Sequence, residues 1–527
     1  MGAPGDQAPE PGGLGDPGRA APSAAASGAR ASVRLPADAS VIDPSGELRG
    51  LAGDCVHCGF CLPACPTYQL WGEEMDSPRG RIHLMMQLLD GAEASPAAAA
   101  HIDRCLGCMA CVPACPSGVR YDRLIEAARS WTEEPPPGPP PLPPRSLRDR
   151  AVRAAIFQLF PYPRRLRLLT APLRAAQRAG LHELLDRSGL AGRLPPELAA
   201  ALRLAPAPAP SPHPRSAGGP PVPVPDSDRK SVRYAGTAVL KSGMSAHRGT
   251  LLARWRAAPR GIGERVPARG PRRAVVGMLL GCVQQVFFPH VNEATARVLA
   301  AEGCDVISPR GQGCCGALPL HGGRLTEAAK FARQTIEVFE RAGVDAIIVN
   351  AAGCGSAMKD YAELLAGDPA WADRAAAMAG KVRDFSEFLA DLGPAAIRHP
   401  LHVTVAYHDA CHLAHAQRVL RQPRELLLAI PGLNLAEIAD GGTCCGSAGI
   451  YNLVQPEAAR ELGERKARTV RATGAALLVS GNPGCSMQIA AALAAQATPL
   501  PMAHIAEVLD ASIRAQPADS LLGSQPA

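Results

Sequence analysis

The chain has 527 residues, a formal net charge of +7 and 47% hydrophobic residues, and its length predicts three or four domains of ordinary size. No run approaches 18 consecutive apolar residues, which excludes a membrane-spanning helix on pattern, and the first residues lack the regions of a secretory signal. We therefore expect a cytoplasmic protein, and the mild charge gives no indication of nucleic-acid binding. The 17 cysteines are expected to be metal ligands or redox groups, since disulfides are rare in that compartment.

Composition and hydrophobic pattern divide the chain into eight segments. Gly, Ala, Pro and Ser dominate the start, which predicts disorder, and proline-rich stretches predict extended spacers between folded parts. The fold class is therefore multidomain: a helical ferredoxin-type domain, then a duplicated α/β domain. The predicted segments are a disordered tail (1–44), the ferredoxin-type domain (45–131), a Pro-rich spacer (132–144), a basic helical segment (145–204), a Pro-rich and basic linker (205–272), two α/β domains (273–395 and 396–513) and a tail (514–527).

The strongest signal is a pair of four-cysteine runs. Residues 54–66, DCVHCGFCLPACP, and 104–116, RCLGCMACVPACP, share the spacing C-x2-C-x2-C-x3-C-P, in which three thiolates bind one [4Fe-4S] cluster and the fourth binds its neighbour. The alternative is a pair of zinc knots, which favour paired C-x2-C knuckles. The spacing predicts two clusters that carry single electrons. Their ligands would be Cys55, Cys58, Cys61 and Cys115 for the first, and Cys65, Cys105, Cys108 and Cys111 for the second.

The C-terminal half contains a repeat. Short apolar runs alternate with amphipathic helices, as in a parallel sheet covered by helices, and equivalent cysteines recur after 129 to 131 residues. Strand ends line one crevice in such folds, so each quartet could hold a further iron–sulfur centre or form a thiol-rich redox pocket. The alternative is small buried cysteines that pack a Gly-rich loop. The quartets are Cys282, Cys314, Cys315 and Cys354, then Cys411, Cys444, Cys445 and Cys485.

Four histidines lie close to these cysteines in sequence. His408, His412 and His415 lie near Cys411, and His321 follows the first Cys-Cys-Gly motif. Each could carry protons or support a metal ligand, and the alternative is an ordinary surface or hydrogen-bonded core histidine. Cys304 lies outside both quartets and is predicted to be in the core. The Gly-x-Gly-x-x-Gly match at 311–316 contains the cysteine pair and lacks a clean helix after it. We therefore expect no flavin or nucleotide site and no catalytic residue on this chain, so electrons would enter from another subunit.

Several stretches around these motifs resemble the iron–sulfur subunit of glycolate oxidase. The resemblance covers about 48–130 and 272–510 well and 145–204 weakly, and it does not cover 1–44 or the insertion near 205–270. The matching stretches are PTYQLWGEEMDSPRGRIHLM (66–85), CPSGVRY (115–121), GCCGALPLH (313–321), CHLAHAQ (411–417), CCGSAGIYNL (444–453) and MAHIAEVL (502–509).

This resemblance implies a complex in which flavin-bearing partner subunits, with FAD, oxidise glycolate to glyoxylate. The present chain would accept the electrons and pass them to a membrane quinone or another acceptor. Related families have the same modules: the iron–sulfur subunit of anaerobic glycerol-3-phosphate dehydrogenase, the lactate utilisation protein and heterodisulfide reductase. In heterodisulfide reductase each CCG unit ends in C-x-x-C, whereas Ala357 and Gln488 stand at the last position here.

Alternatives to this function remain open on the sequence. The chain could serve a lactate or glycerol-3-phosphate dehydrogenase, reduce a disulfide at a CCG site, or act as a redox sensor without electron flux. Residues 145–178 carry nine Arg against one acidic residue. This segment could bind anionic lipid on the inner face of the cell membrane, dock an acidic partner, or reflect base composition alone.

Overall fold

The computed structural model describes residues 42–92, 95–136, 142–178, 196–204 and 263–523. Residues 1–41 of the predicted tail, and nearly all of the predicted linker 205–272, lie outside the described residues. Among the residues that are described, no helix is both long enough and apolar enough to cross a bilayer.

The first domain is helical and contains both four-cysteine runs. Prolines at the first helical positions and serine caps fix two helix starts: the hydroxyls of Ser77 and Ser95 accept hydrogen bonds from the amides of Gly80 and Ala98. Ile42 is buried in the same core, so the folded domain begins inside the predicted tail. The helices are α1 (Glu47–Gly53), α2 (Pro66–Trp71), α3 (Pro78–Leu89), α4 (Pro96–Asp103), α5 (Cys111–Ala114) and α6 (Tyr121–Glu133), with a 3-10 turn at Glu74–Asp76.

A basic helical segment follows. Its helices are α7 (Leu147–Leu159), α8 (Pro163–Arg178) and α9 (Pro196–Leu204). The break between α7 and α8 falls at the two prolines that predicted it, because proline cannot donate the backbone hydrogen bond that would continue a helix. Phe157 of α7 is fully buried and packs against Ile450 and Leu453 of the second α/β domain. The segment is therefore packed against the folded domains.

The first α/β domain has a five-stranded sheet in the order β1-β3-β2-β4-β5. Strand β1 is antiparallel to β3, and the other neighbours are parallel. The strands are β1 (Arg265–Val266), β2 (Ala274–Met278), β3 (Cys304–Ile307), β4 (Ala346–Val349) and β5 (Val382–Asp384). The helices are α10 (Gln284–Phe287), α11 (Pro289–Ala301), α12 (Ala317–His321), α13 (Leu325–Ala342), α14 (Ala352–Lys359), α15 (Tyr361–Leu364), α16 (Ala372–Lys381) and α17 (Phe385–Leu392).

The second α/β domain has a four-stranded parallel sheet in the order β7-β6-β8-β9. The strands are β6 (Val403–His408), β7 (Leu433–Ala436), β8 (Leu477–Ser480) and β9 (Met502–His504). A π-helical turn at His412–Ala416 follows β6, a feature frequent at functional sites. The helices are α18 (Arg421–Leu428), α19 (Tyr451–Val454), α20 (Pro456–Ala472), α21 (Pro483–Ala495), α22 (Ile505–Ile513) and α23 (Asp519–Leu522).

The two sheets repeat one topology. The order β3-β2-β4-β5 matches β7-β6-β8-β9 strand for strand, as the cysteine repeat predicts. Each final strand leads into a helix that begins with a capping box, formed by Asp384 with Glu387 in the first copy and by His504 with Glu507 in the second. One hydrophobic core contains residues of both sheets, so the copies are packed together.

Two segment predictions are wrong at their edges. Residues 263–272, assigned to a linker, contribute strand β1 to the first sheet. Residues 514–527, assigned to a tail, include helix α23, whose Leu521 is buried in the shared core. A two-residue strand and a four-residue helix are too short to produce a recognisable hydrophobic period.

Candidate metal centres

Each four-cysteine run turns sharply between its first three cysteines. His57 and Gly59 have positive φ angles of 52° and 86°, and Gly107 and Met109, at the equivalent positions of the second run, have 63° and 60°. His57 and Met109 adopt a conformation that residues with a Cβ rarely use. Such strain concentrates at functional sites. The same turn in both runs wraps each chain segment around one centre.

The two runs border two neighbouring cavities. The first cavity is lined by Cys55, Cys58, Cys61 and Cys115. The second is lined by Cys65, Cys105, Cys108 and Cys111. Each cavity groups three thiols of one run with one thiol of the other, which is the grouping that the spacing predicts. That these thiols bind clusters stays a prediction. Cys111 also borders the first cavity, so the two cavities are adjacent.

The spacing of these thiols bears on which metal they fit. Among the described residues, which include all eight ferredoxin-type cysteines, no three of these thiols lie within 4.8 Å of one another. A tetrahedral zinc ion with Zn–S bonds of about 2.3 Å would draw its sulfurs to roughly 3.8 Å apart. The donor sets therefore fit the larger [4Fe-4S] cluster better than a zinc knot.

A buried arginine lies beside the second cavity. The Arg81 side chain is 1% exposed, and its guanidinium donates to Thr67 Oγ1 at 3.1 Å and Asp76 Oδ1 at 3.2 Å and to the His101 carbonyl at 2.6 Å. Burial opposes its charge, but Cys105 and other nearby acidic groups outweigh burial and raise the pKa of Arg81. Arg81 is thus a fixed positive charge next to the thiols.

Cys105 is the thiol that feels this charge most directly. Burial acts to raise its pKa, but the charges of Arg81 and Arg129 and the hydrogen bond from the Gly107 amide lower the pKa below the usual value. The amide of Gly107 lies 3.3 Å from the sulfur, and the Tyr121 hydroxyl donates to it at 3.6 Å. This environment favours the thiolate that binds metal.

In the first CCG quartet, Cys282 lies in the turn after β2, Cys314 and Cys315 lie in the loop after β3, and Cys354 lies in the first turn of α14, which follows β4. Cys282 Sγ lies 3.6 Å from Cys314 Sγ, Cys314 contacts Cys315, and Cys315 contacts Cys354 through their side chains. Hydrogen bonds from Cys314 and Cys354 lower the pKa of Cys315 well below its usual value. Hydrogen bonding with Cys282 and then with Cys315 raises the pKa of Cys314, and hydrogen bonding with Cys315 raises the pKa of Cys354. The quartet is therefore a connected row of thiols with one favoured thiolate.

The second quartet forms a similar row. Cys411 contacts Cys444, Cys444 contacts Cys445, and Cys445 contacts Cys485. Cys411 and Cys444 also share a hydrophobic cluster with Cys108 of the ferredoxin-type domain. The nearby Cys411 adds to burial in raising the pKa of Cys108. The second quartet is thus next to the second ferredoxin cavity.

The four candidate histidines occupy different environments. His412 Nε2 lies 2.9 Å from the Gly107 carbonyl, and His415 Nε2 lies 2.7 Å from the Gly442 carbonyl. His321 Nδ1 lies 2.9 Å from Glu126 Oε1, and its ring packs against His412 with centroids 4.6 Å apart. These three are hydrogen-bonded, as the structural alternative predicts. His408 is buried, and neither ring nitrogen has a partner.

A cavity of about 710 Å³ lies where the ferredoxin-type domain meets both α/β domains. Met109 from the second run reaches its wall, together with Glu126, His321 and Asp360. Burial raises the pKa of Glu126 to about 8 and that of Asp360 to about 7, and burial lowers the pKa of His321 to about 4. The carboxyl groups of Glu126 and Asp360, with these pKa values, can exchange protons near neutral pH.

Comparisons with known proteins follow the same division of the chain. A 4Fe-4S dicluster domain model matches 52–119, a cysteine-rich domain model matches 276–359 and 405–490, and a model of the glycolate oxidase iron-sulfur subunit linker region matches 148–205. The probable glycolate oxidase iron-sulfur subunit of Bacillus subtilis is 35% identical over 83% of this chain and 88% of its own length. The chain belongs to the family of glycolate oxidase iron–sulfur subunits. The resemblance predicted from the motifs is confirmed.

Other relatives support this family assignment. The glycolate oxidase iron-sulfur subunit of Escherichia coli is 33% identical over 83% of this chain and 89% of its own length. Lactate utilization protein A of Shouchella clausii is 32% identical over 45% of this chain and 98% of its own length. A solved hypothetical protein from Helicobacter pylori is 10% identical to this chain and covers 49% of it and 53% of its own length, with a TM-score of 0.38.

Sequence reasoning missed the residues that hold the domains together. Arg129 donates from one nitrogen to the His321 carbonyl at 2.6 Å and from another to the Cys105 carbonyl. Arg81 and Glu126 were missed as well. Arg81 binds Thr67, Asp76 and His101 within the ferredoxin-type domain, and no motif of the sequence marks these contacts. The partners of Arg129 lie 24 and 192 residues away in the chain. Cys304, predicted to be in the core, is fully buried there.

Proposed function

We propose that this chain is the electron-transfer subunit of a glycolate oxidase. Partner subunits that contain FAD would oxidise glycolate to glyoxylate, and this chain would pass the electrons to a quinone or another acceptor. The observation that carries the proposal is the pair of adjacent cavities lined by two cysteine quartets in a chain of this family. Among the described residues, we find no site for substrate oxidation that is as specific as these two cysteine quartets are for electron transfer. We therefore assign substrate oxidation to the partner subunits.

The two quartets are the ligands that this proposal assigns to two [4Fe-4S] clusters. When bound, such clusters supply one-electron transfer, which a flavin can feed one electron at a time. The protein's part is to hold the sulfurs, limit water and set local charge. Cys105, Cys108 and Cys111 are buried, whereas Cys58 is exposed. The first cavity is therefore the one open to a partner subunit, and the second is enclosed between the domains.

The positive charges near Cys105 have a further role in the proposal. A fixed cation stabilises the more negative, reduced state of a neighbouring redox group. Arg81 is held in place by Thr67 and Asp76, so its charge does not need to reorganise during electron transfer. We infer that Arg81 raises the reduction potential at the second cavity relative to a site without it.

Peripheral contact with the membrane is proposed only for part of the basic segment. Arg145 and Arg153 are nearly buried and pair with acidic groups of this chain, so they are not available to lipid. Leu168 and Leu169 on α8 are 77% and 60% exposed. Exposed leucines on a helix with several arginines are typical of a surface that binds the lipid interface. Salt should release the chain from anionic vesicles, and no binding at low salt would refute this contact.

The division of labour is tested by reconstitution. The anaerobically purified chain alone should not reduce an artificial acceptor with glycolate, and adding the flavin subunits should produce turnover. Replacing Cys58 by Ser should reduce that turnover strongly, whereas Cys304→Ser, the same exchange at a buried cysteine outside all the quartets, should retain it. Turnover by the isolated chain would refute the proposal.

The substrate is tested in the same assay. Lactate is the second candidate substrate, because Lactate utilization protein A resembles 45% of this chain; glycerol 3-phosphate is the third. The reconstituted complex should have a higher kcat/KM for glycolate than for D-lactate, L-lactate or glycerol 3-phosphate. A preference for any of these three would reassign the substrate and leave the electron-transfer function in place.

A further inference from the structure

His408 stands out among the buried polar residues of the second α/β domain. It ends strand β6 and is 1% exposed, and both ring nitrogens lack a hydrogen-bond partner. A buried polar group without a partner destabilises a folded protein by about 1–3 kcal/mol. An imidazole in this position therefore indicates a ligand that satisfies one of its nitrogens.

Two thiols of the second quartet lie close to His408. A ring nitrogen of His408 and the sulfurs of Cys445 and Cys485 all lie within 4.8 Å of one another. Within the described part of the chain, this is the one group of three such donors that is so compact. Imidazole and thiolate together are the donors that iron and zinc accept in proteins.

The first repeat provides an internal comparison. The residue equivalent to His408 is Leu279, which follows β2 in the same register relative to the neighbouring strand. Leu279 is buried in an apolar cluster that includes Cys282, Cys314 and Cys315. The two quartets have the same four cysteines but differ in this fifth position. A nitrogen donor is therefore specific to the second copy.

The second copy is also the one that contacts the ferredoxin-type domain. Cys411 and Cys444 pack in one cluster with Leu106 and Cys108, and His412 binds the Gly107 carbonyl at 2.9 Å. Cys444 in turn contacts Cys445, so the row of thiols connects the His408 end of the quartet to the second ferredoxin cavity. Donors within 4.8 Å of one another fit a single metal ion rather than a [4Fe-4S] cluster. Zinc has no redox chemistry in proteins, so the proposed electron-transfer function assigns this ion as iron.

We propose that the second quartet holds an iron centre in which a ring nitrogen of His408 is a ligand beside the thiolates of Cys445 and Cys485. The first quartet, with Leu279, does not share this centre. The inference deepens the proposed electron-transfer function and rests on it. It identifies the point at which electrons leave the second ferredoxin cavity.

The test uses the full chain, purified anaerobically with 15N-labelled histidine. His408→Leu reproduces the first repeat, His408→Cys replaces the nitrogen by a third sulfur, and His415→Gln changes a nearby histidine that is already bound to the Gly442 carbonyl. Iron and zinc per chain are measured, and pulsed EPR detects the coupling of 15N to the centre. Glycolate turnover with the flavin subunits is recorded separately.

The wild-type chain should contain more than the roughly eight iron atoms that two [4Fe-4S] clusters account for, with a histidine nitrogen coupling. His408→Leu should lose the excess iron and the coupling, and His415→Gln should retain both. His408→Cys should retain iron but lose the coupling, which separates ligation from folding. Zinc at the site, no nitrogen coupling, or unchanged iron in His408→Leu would overturn the proposal. The proposed function fails separately, if turnover does not depend on the eight ferredoxin-type cysteines.

Discussion

Gly323 of the first α/β domain packs so closely against the ferredoxin-type domain that a side-chain methyl group has no room there. It lies between α12 and α13 with φ of +83°, and a Cβ there would lie 2.5 Å from the Arg129 carbonyl carbon and 2.7 Å from the Ser130 amide nitrogen of α6. These are backbone atoms, so the domains must separate. Gly343 has a φ of +60° and no atom within 4 Å of such a Cβ, which makes it the matched control.

Both Gly→Ala substitutions force alanine into the left-handed conformation, at a cost of about 1–2 kcal/mol. Gly323→Ala adds overpacking, which costs about 1–3 kcal/mol more, so we expect about 2–5 kcal/mol for Gly323→Ala. The free energy of unfolding is measured anaerobically in urea, with the fluorescence of buried Trp131 on α6 as a local probe. Gly323→Ala should also slow glycolate turnover while dithionite still reduces both clusters.

Equal unfolding midpoints for the two variants would refute the reasoning, because the left-handed strain is common to both. Unchanged turnover in Gly323→Ala would show that this contact is not part of the electron path. A loss of iron in Gly323→Ala would indicate that the substitution acts on the ferredoxin-type domain itself.

Two further predictions concern charged groups. Arg81→Gln should lower the reduction potential of the cluster at the second cavity, which redox titration measures. It should also destabilise the protein by about 3–5 kcal/mol in urea unfolding, because it leaves Asp76 buried with fewer partners. The control is Arg79→Gln, whose partner Glu74 is 38% exposed and which should cost under about 1 kcal/mol. Glu126 binds its proton more tightly in the folded state, with a pKa of about 8, so between about pH 5 and 8 its ionisation destabilises the folded protein increasingly as pH rises. Over this range the free energy of unfolding of Glu126→Gln should therefore gain on that of the wild type by up to about 1.4 kcal/mol per pH unit. Parallel plots of unfolding free energy against pH for the two proteins would contradict this.

The sequence predicts those parts of the structure that depend on local signals. The proline pair after α7 breaks the helix because proline has no backbone N–H to donate the hydrogen bond that would continue it. The recurrence of cysteines after 129 to 131 residues predicts two copies of one topology, and the sheets have the same strand order. The four-cysteine spacing predicts which thiols share a cavity, and the two cavities are lined in that way.

The contacts that join the domains could not be predicted from such signals. Arg129 bridges carbonyls 24 residues before it and 192 residues after it in the chain, and neither partner leaves a mark on the sequence around it. His408 and His412 both lie close to Cys411 in the sequence, and no sequence signal distinguishes them. The structure separates them, because His412 finds the Gly107 carbonyl and His408 finds no hydrogen-bonding atom. Burial and partner count distinguish a structural histidine from a candidate ligand.

Duplication gave this family two similar thiol quartets, and the ferredoxin-type domain makes them unequal. The second quartet packs against the loop of Leu106 and Cys108, and electron transfer falls steeply with distance. The second quartet contacts Cys108 and has His408, whereas the first has Leu279 and a favoured Cys315 thiolate. A metal ligand is useful where electrons arrive, and an apolar leucine is sufficient where they do not. The position of His408 in the copy that faces the cluster is therefore what an electron path through the second domain requires.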